Sequence, residues 1–248
     1  MSPGSGVESN GESQIASSTA HPHRAVCSGN IRTPGPRGCG HLDGIAPRFA
    51  LNMFGGAHHQ DRLRYAAQPV VLIGGGGHAV VVAEAAHLAG LTLAGFLDDS
   101  PEAALTALPI GVPHPYSAPT ALGGLDRLDV LEGAEWILAL GDLAHRRRLI
   151  DQLAAKRTTR QGVVCVVHPT ANLSPSASVQ PGTYLGPGSI VHARARVGPH
   201  GIINSGAIVE HDCALAENVH IAPGAVLGGS VRIGPDTLVG LGARVLPG

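Results

Sequence analysis

Residues 209–214 read VEHDCA, which sets His211 between two carboxylates, Glu210 and Asp212, in a stretch otherwise built of small and aliphatic residues. An imidazole titrates near neutrality, so it suits the removal of a proton from an attacking amine or hydroxyl. A carboxylate bonded to the far ring nitrogen fixes the tautomer and stabilises the imidazolium that forms. Asp212 is the choice for that role, with Glu210 as the alternative. Cys213 offers a second chemistry, acylation of a thiolate. The same polar run would also serve as an ordinary solvated corner, so the surrounding elements decide between these readings.

Those elements obey a six-residue rule. From Leu173 the chain reads LSPSAS VQPGTY LGPGSI VHARAR VGPHGI INSGAI VEHDCA LAENVH IAPGAV LGGSVR IGPDTL VGLGAR VLPG. Position 1 is Leu, Val or Ile in all thirteen hexads, and position 5 is small or Val in the twelve complete ones. An inward aliphatic, a small residue near the corner and a Gly/Pro-rich turn describe a solenoid stacked by parallel β-pairing, with about 18 residues closing a three-faced coil. The period leaves handedness open. Cys213 falls at position 5, where small residues pack inward, which counts against the thiolate chemistry.

Before the ladder, PVVLIGGGGHAVVVAEAAHLAG reads as a strand, a glycine turn and an alanine-rich helix ending at Gly90. LTLAGFLDD is a second strand, followed by a Pro-rich connection, a strand in EWILALGD, a helix in LAHRRRLIDQLAAK and a strand in GVVCVV. Such alternation predicts a small parallel sheet with helices on its faces and ligands at the carboxyl ends of its strands. Gly74, Gly76 and Ala79, with Asp98 and Asp99 about 20 residues on, also satisfy a dinucleotide pattern. The span is too short for a second nucleotide-binding half with a hydride-transfer site, so a nicotinamide enzyme is the rival reading. Arg146, Arg147 and Arg148 read as a solvated basic face, His168 as part of a structural hinge, and His192 and His200 as ladder corners without acid neighbours.

The chain thus divides into a disordered, Ser/Gly/Pro/His-rich extension over 1–66, a Rossmann-like domain over 67–168 and a hexapeptide-repeat β-helix over 169–248. The histidines of the extension (His21, His23, His41, His58, His59) are spaced irregularly and read as a solvated tail, so no metal is expected. With 17 Lys+Arg against 18 Asp+Glu, the net charge of −1 provides no basic field for nucleic acid or an anionic membrane. The 35 glycines, 19 prolines and 3% aromatics suit tight turns around a narrow interior. Cys27, Cys39, Cys165 and Cys213 form no CxxC pair, which fits a reducing compartment and a cytoplasmic location. Neither a secretory leader nor a run of about 18 apolar residues is present, so membrane insertion is not expected.

The ladder resembles the left-handed β-helix acyltransferases. Its pairing with GGGGHA, an LDD strand end and an HPTANLSPSASV junction resembles more particularly the sialic-acid O-acetyltransferase and UDP-4-amino-sugar N-acetyltransferase type. The resemblance implies a homotrimer that uses acetyl-CoA, bound between neighbouring β-helices, to acetylate an amino or hydroxyl group of a sugar or nucleotide-sugar. It places the general base on His211 with Asp212 beside it, and acetyl-CoA contacts on His220 and on the backbone of Leu241, whose side chain is expected to pack. It places Asn204 close to the catalytic centre and the cofactor. The nucleotide end of the substrate falls to Gly76, Gly77 and His78, to Asp98 and Asp99, and to Gly141. Nine residues separate His211 from His220, one and a half faces of a ladder, so a site shared between subunits is expected. A non-catalytic trimeric scaffold is the alternative. The family carries further coils and a C-terminal segment beyond the point reached by VLPG, so the β-helix is expected to be C-terminally truncated.

Overall fold

The computed structural model describes residues 66, 68–106, 119–155 and 162–248. The disordered extension expected over 1–66, with its histidines and with Cys27 and Cys39, lies outside the described residues except for Ala66.

Four parallel strands form the first sheet among the described residues. β1 (Val70–Ile73) is wholly buried and leads through the glycine turn into α1 (Gly77–Leu88); β2 (Leu93–Leu97), β3 (Ala121–Gly123) and β4 (Glu135–Leu138) follow, then α2 (Leu143–Ala155). The order is β3-β2-β1-β4. Continuous apolar runs such as VVLI fit a sheet covered on both faces. Gly90, at φ 78°, ends the first helix in the left-handed conformation. β3 was not expected: three residues, Ala-Leu-Gly, carry no alternation to read.

The strand expected in GVVCVV is divided instead. Val163 bridges to Trp136 on β4, whereas Val166–Val167 pairs with Tyr184–Leu185 of the ladder. Val164 donates its N–H back to Trp136 O (3.1 Å) and accepts from Gly182 N (3.2 Å). The backbone bonding therefore passes at this residue from the sheet to the solenoid.

The solenoid is a left-handed β-helix of three faces, each pairing residues 18 apart. Face one stacks Val166–Val167, Tyr184–Leu185, Ile202–Ile203, His220–Ile221 and Leu238–Val239; face two stacks Asn172–Leu173, Ile190–Val191, Ile208–Val209, Val226–Leu227 and Arg244–Val245. Face three stacks Ser178–Val179, Arg196–Val197, Ala214–Leu215 and Arg232–Ile233. The position-1 aliphatics are the second residue of each pair and fill the axis, with Leu185, Ile203, Val209, Ile221 and Leu227 fully buried. Position 5 supplies the small corner residues, Ala177, Ala195, Ala207, Cys213 and Ala225 among them.

Position 4 sits in the left-handed region in every hexad from Gly182 to Gly242, through Gly188, Arg194, His200, Gly206, Asp212, Asn218, Gly224, Ser230 and Asp236. Glycine, asparagine and aspartate tolerate this conformation; arginine and histidine do so at a cost.

The first sheet docks on face one. Val166, Tyr184 and Ile202 share a core with Ala79, Val82, Ala83 and Ala86 of α1.

Candidate active site

His211 lies in the turn between face two and face three, the corner opposite the face on which α1 packs. Its side chain is 56% exposed. Nδ1 lies 2.8 Å from Asp212 Oδ2. Of the two flanking carboxylates, Asp212 is the one that bonds the ring. Glu210 Oε2 is 3.4 Å from the backbone N–H of His211, and its Oε1 is 3.7 Å from His192 Nε2. His192 thus does have an acid neighbour, one coil away; stacking at a spacing of 18 puts residues 192 and 210 one above the other, a relation that a hexad-by-hexad reading hides.

Asp212 also receives a two-pronged bond from Arg194, Nε to Oδ1 at 2.6 Å and Nη2 to Oδ2 at 2.7 Å. Arg194 first, and His211 second, hold this carboxyl below the usual carboxylate range. An ionised carboxylate only accepts, so the proton of a neutral His211 ring sits on Nδ1 and the lone pair is on Nε2. Gly229, one coil on, floors the ring: a Cβ there would stand 2.7 Å from Cε1 and 2.8 Å from Nε2. Cys213 points inward with Sγ 3.2 Å from Gly228 O, and burial pushes its thiol up. It is a poor nucleophile as placed.

A second group of candidates gathers on face one. Asn204 Nδ2 is 3.1 Å from His220 Nε2, and the ring of His78 lies 6.3 Å from that of His220 and edge-on to Tyr184 at 5.4 Å. Gly141 borders His78, its would-be Cβ 3.8 Å from His78 Cβ. His78 is pushed down to about 4 by burial, with Arg146 and His220 adding to the effect; His220 is lowered by burial and Arg146 against a backbone bond with Gly141. Among the described residues, His78 Nε2 and the Tyr184 hydroxyl are buried without a hydrogen-bond partner. Tyr184, an outward aromatic in a chain with few of them, belongs to this group and was not anticipated.

The glycine loop separates into two roles. Gly74, at φ 112°, and Gly75 press against Leu140 and Phe96, whereas a Cβ at Gly76 or Gly77 would meet nothing. No side chain caps α1 and no acid occupies its first turn, so the loop presents an open, positive helix terminus. Asp98 accepts from Gly75 N (2.6 Å) and Ser100 N (2.8 Å), and Asp99 from Leu125 N (2.7 Å). Asp98 braces the rim of the glycine loop, whereas Asp99 holds the segment after β3. Leu241 is 77% exposed, so its side chain does not pack within the protomer. Thr170 N and Oγ1 close on His168 Nδ1, at 3.1 and 2.8 Å, within the expected hinge.

Of the basic run on α2, Arg148 is exposed as expected, but Arg146 and Arg147 are not part of a solvated face. Arg146 is fully buried, donating to Asn218 Oδ1 (2.9 Å) and to the carbonyls of Leu138 (3.2 Å), Leu140 (3.0 Å) and His200. Arg147 pairs with Glu217 (2.9 Å) and Asp236 (2.8 Å). Their partners Asn218, His200, Glu217 and Asp236 lie at the corner between faces three and one, where the two arginines bolt α2 to the solenoid.

Comparison with known proteins agrees with this architecture. Residues 69–153 match the PglD N-terminal domain family. A histidine-to-asparagine mutant of perosamine N-acetyltransferase from Caulobacter crescentus, in complex with CoA and GDP-perosamine, is 32% identical over 74% of this chain and 82% of that one, with a TM-score of 0.61. The acetyltransferase domain of PglB from Neisseria gonorrhoeae is 31% identical over 71% of this chain and 82% of its own, at 0.60. WeeI from Acinetobacter baumannii, 18% identical over 73% of this chain and 90% of its own at 0.50, speaks for the fold alone. The chain belongs to the hexapeptide-repeat, left-handed β-helix family of sugar acetyltransferases.

Proposed function

We propose that the protein transfers an acetyl group from acetyl-CoA directly to the amino group of a nucleotide-linked sugar, with His211 as general base. The observation that carries this reading is the exposed His211 ring, bonded through Nδ1 to Asp212, which makes Nε2 the ring atom that can accept a proton. Acetyl-CoA supplies the acyl group as a thioester. Nε2 takes the proton of the amine as the nitrogen bonds to the thioester carbonyl carbon; the carbon–sulfur bond breaks, and the imidazolium returns the proton to the leaving sulfur. Backbone N–H groups of the turns offer the charge on the carbonyl oxygen its partners. The likeness to a structure holding CoA and GDP-perosamine supports an amine acceptor and a nucleotide-sugar.

The loop at Gly76, Gly77 and His78 receives the nucleotide end, its phosphates lying against the open start of α1. Asp98 keeps the rim in place, and Asp98 and Asp99 offer their remaining lone pairs to ribose or base. Gly141 leaves room beside His78. His220, Asn204 and the backbone at Leu241 form the acetyl-CoA side.

Within one protomer His211 is on the corner opposite face one, so these groups meet only between copies. A homotrimer that buries face two of one copy against its neighbour brings the His211 edge to the partner's loop. Half-buried Ile190, Ile208 and Val226, stacked outward on face two, support it. Among the described residues no helix is long and apolar enough to cross a membrane; a cytoplasmic site of action is part of the proposal, since that is where acetyl-CoA and nucleotide-sugars are made.

Mass spectrometry of acetyl-CoA with a panel of UDP- and GDP-linked 4-amino sugars tests the reading, with His211→Ala alongside. Acetylated amino sugar from the wild type and none from the variant is the expected result. Product that survives the substitution removes His211 as base, and intact thioester with every acceptor favours the scaffold.

A further inference from the structure

The corner that carries His211 is a column running through four coils. Ser176, Arg194, the His211–Asp212 pair and Gly229–Ser230 follow one another at a spacing of 18. Ser176 Oγ accepts the N–H of Arg194 at 3.1 Å. Asp212 donates its own N–H to Ala193 O (3.1 Å), and Ser230 donates to His211 O (2.9 Å). Arg194 then crosses one coil with its side chain to grip Asp212 by both oxygens.

Two features separate this contact from an ordinary surface ion pair, which contributes little. First, Asp212 Oδ2 is shared: it accepts from Arg194 Nη2 at 2.7 Å and faces His211 Nδ1 at 2.8 Å. Second, Arg194 stands at φ 61° in a row of turns where most neighbours are Gly, Asn or Asp. A long side chain in that region costs about 1–2 kcal/mol, and strain of this kind gathers where a side chain has work to do.

We propose that Arg194 is a positioning residue for the transfer reaction: its guanidinium fixes the Asp212 carboxylate, and through it the imidazole of His211, in the orientation that presents Nε2. The inference rests on the reading of His211 as base. Asp212 has two free torsions and sits 35% exposed; alone it would swing out to water. The fork of Arg194 matches both carboxylate oxygens at once, which a lysine cannot do. It also offsets part of the carboxylate charge felt by the ring. The other groups facing His211 are Glu210 beside it and His192 behind Glu210, with uncharged Gly229 and Ser230 from the coil beyond, while the Cys213 thiol points inward. Arg194 is the only guanidinium among these described groups.

The test is the pH profile of kcat/KM for Arg194→Met and Arg194→Lys, together with 15N NMR titration of the His211 ring in the full-length protein. Arg194→Met should lower kcat by about tenfold and move the acid limb of the profile, and the ring titration with it, to higher pH, because the carboxylate charge is no longer shared. Arg194→Lys should keep the limb near its wild-type position yet still lower kcat. A residue that only braces the corner would lower Tm and leave limb and ring titration where they were. Wild-type kcat and an unmoved ring titration in Arg194→Met would overturn the proposal. His211→Ala run in parallel separates the two ideas: retained activity there overturns the base, whereas its loss beside an unaffected Arg194→Met overturns this inference alone. The NMR titration reads the Arg194–Asp212–His211 coupling even where turnover is lost.

Discussion

Asn204 fixes the proton of His220. Its Oδ1 accepts the backbone N–H of Ser205 at 2.8 Å, so the amide is oriented and Nδ2 must be the atom 3.1 Å from His220 Nε2. An amide nitrogen only donates, which makes Nε2 the acceptor and leaves the ring proton on Nδ1, toward the backbone of Gly141. Asn204→Ala removes the donor and leaves a half-buried ring nitrogen unpaired, a loss of about 1–3 kcal/mol. The expected outcome is a KM for acetyl-CoA raised by roughly tenfold, with kcat changed less, and a mixed tautomer in the 15N spectrum of His220. Asn204→Asp should do the reverse to the ring, drawing a proton onto Nε2.

Arg146 is the bolt between the sheet and the solenoid, and its bonds end on carbonyls and an amide rather than a carboxylate. Burial pulls the guanidinium down to about 10, so it stays charged at neutral pH. Arg146→Met leaves the oxygens of Leu138, Leu140, His200 and Asn218 without their donor. Breaking such a buried set costs about 3–5 kcal/mol, which urea unfolding would read as a large drop in midpoint. Arg146→Lys should recover only part of it, since one ammonium cannot span four acceptors.

Acid should loosen the fold before it protonates ordinary carboxylates. Burial, aided by Arg146, pushes both His78 and His200 down to about 4, against about 6.5 for an unfolded histidine. Between those values the unfolded chain binds more protons than the folded one, so stability rises with pH. The contribution is complete above pH 6.5 and is lost as pH falls toward 4, up to about 3 kcal/mol for each ring before solvent screening. Urea midpoints measured from pH 7.5 to 4.5 should fall steadily. His200→Asn, a residue at ease with the φ of 57° there, gives up the stack on Trp136 and should flatten that slope.

Gly229 tests the floor under the proposed base. A methyl group there meets the His211 ring rather than backbone, and its φ lies outside the left-handed region, so Gly229→Ala should fold with a nearly unchanged Tm while the imidazole is pushed off its Asp212 bond. A fall in kcat of about tenfold or more at constant Tm is expected. An unchanged kcat would show that the ring has room to spare.

The period of six made the solenoid legible, because an inward aliphatic at every position 1 leaves one way to close the coil; the resemblance added its hand. His211 and Asp212 were legible for a local reason, being adjacent in sequence. Arg194 was not: its partner is one coil away, and only stacking at 18 aligns them. The same holds for His192 and Glu210, and for the contacts of Arg146, which reach from α2 to residues 54 and 72 positions on. β3 escaped notice because it is short and patternless, and the seam at Val163–Val167 because a single apolar run serves two structures.

The proposed trimer would bury the stack on face two. Ile190, Ile208 and Val226 lie in register, each paired with the next at the backbone, and their side chains point away from the axis into solvent in the single chain. In the same outward row on face three stand Ser178, Arg196, Ala214 and Arg232, and on face one Tyr184 and Ile202 are already covered by the first sheet. Under the proposed trimer, face two is the apolar row that a second copy would cover, and threefold closure would let every copy use the same surface. Ile208→Glu places a charge in the middle of that row, where an unpaired carboxylate is costly to bury. Sedimentation should show a trimer for the wild type and a monomer for Ile208→Glu, with the solenoid's circular dichroism retained. Activity should vanish with the trimer, since His211 then has no neighbouring loop to work against; a monomer that still acetylates would place the whole site within one chain.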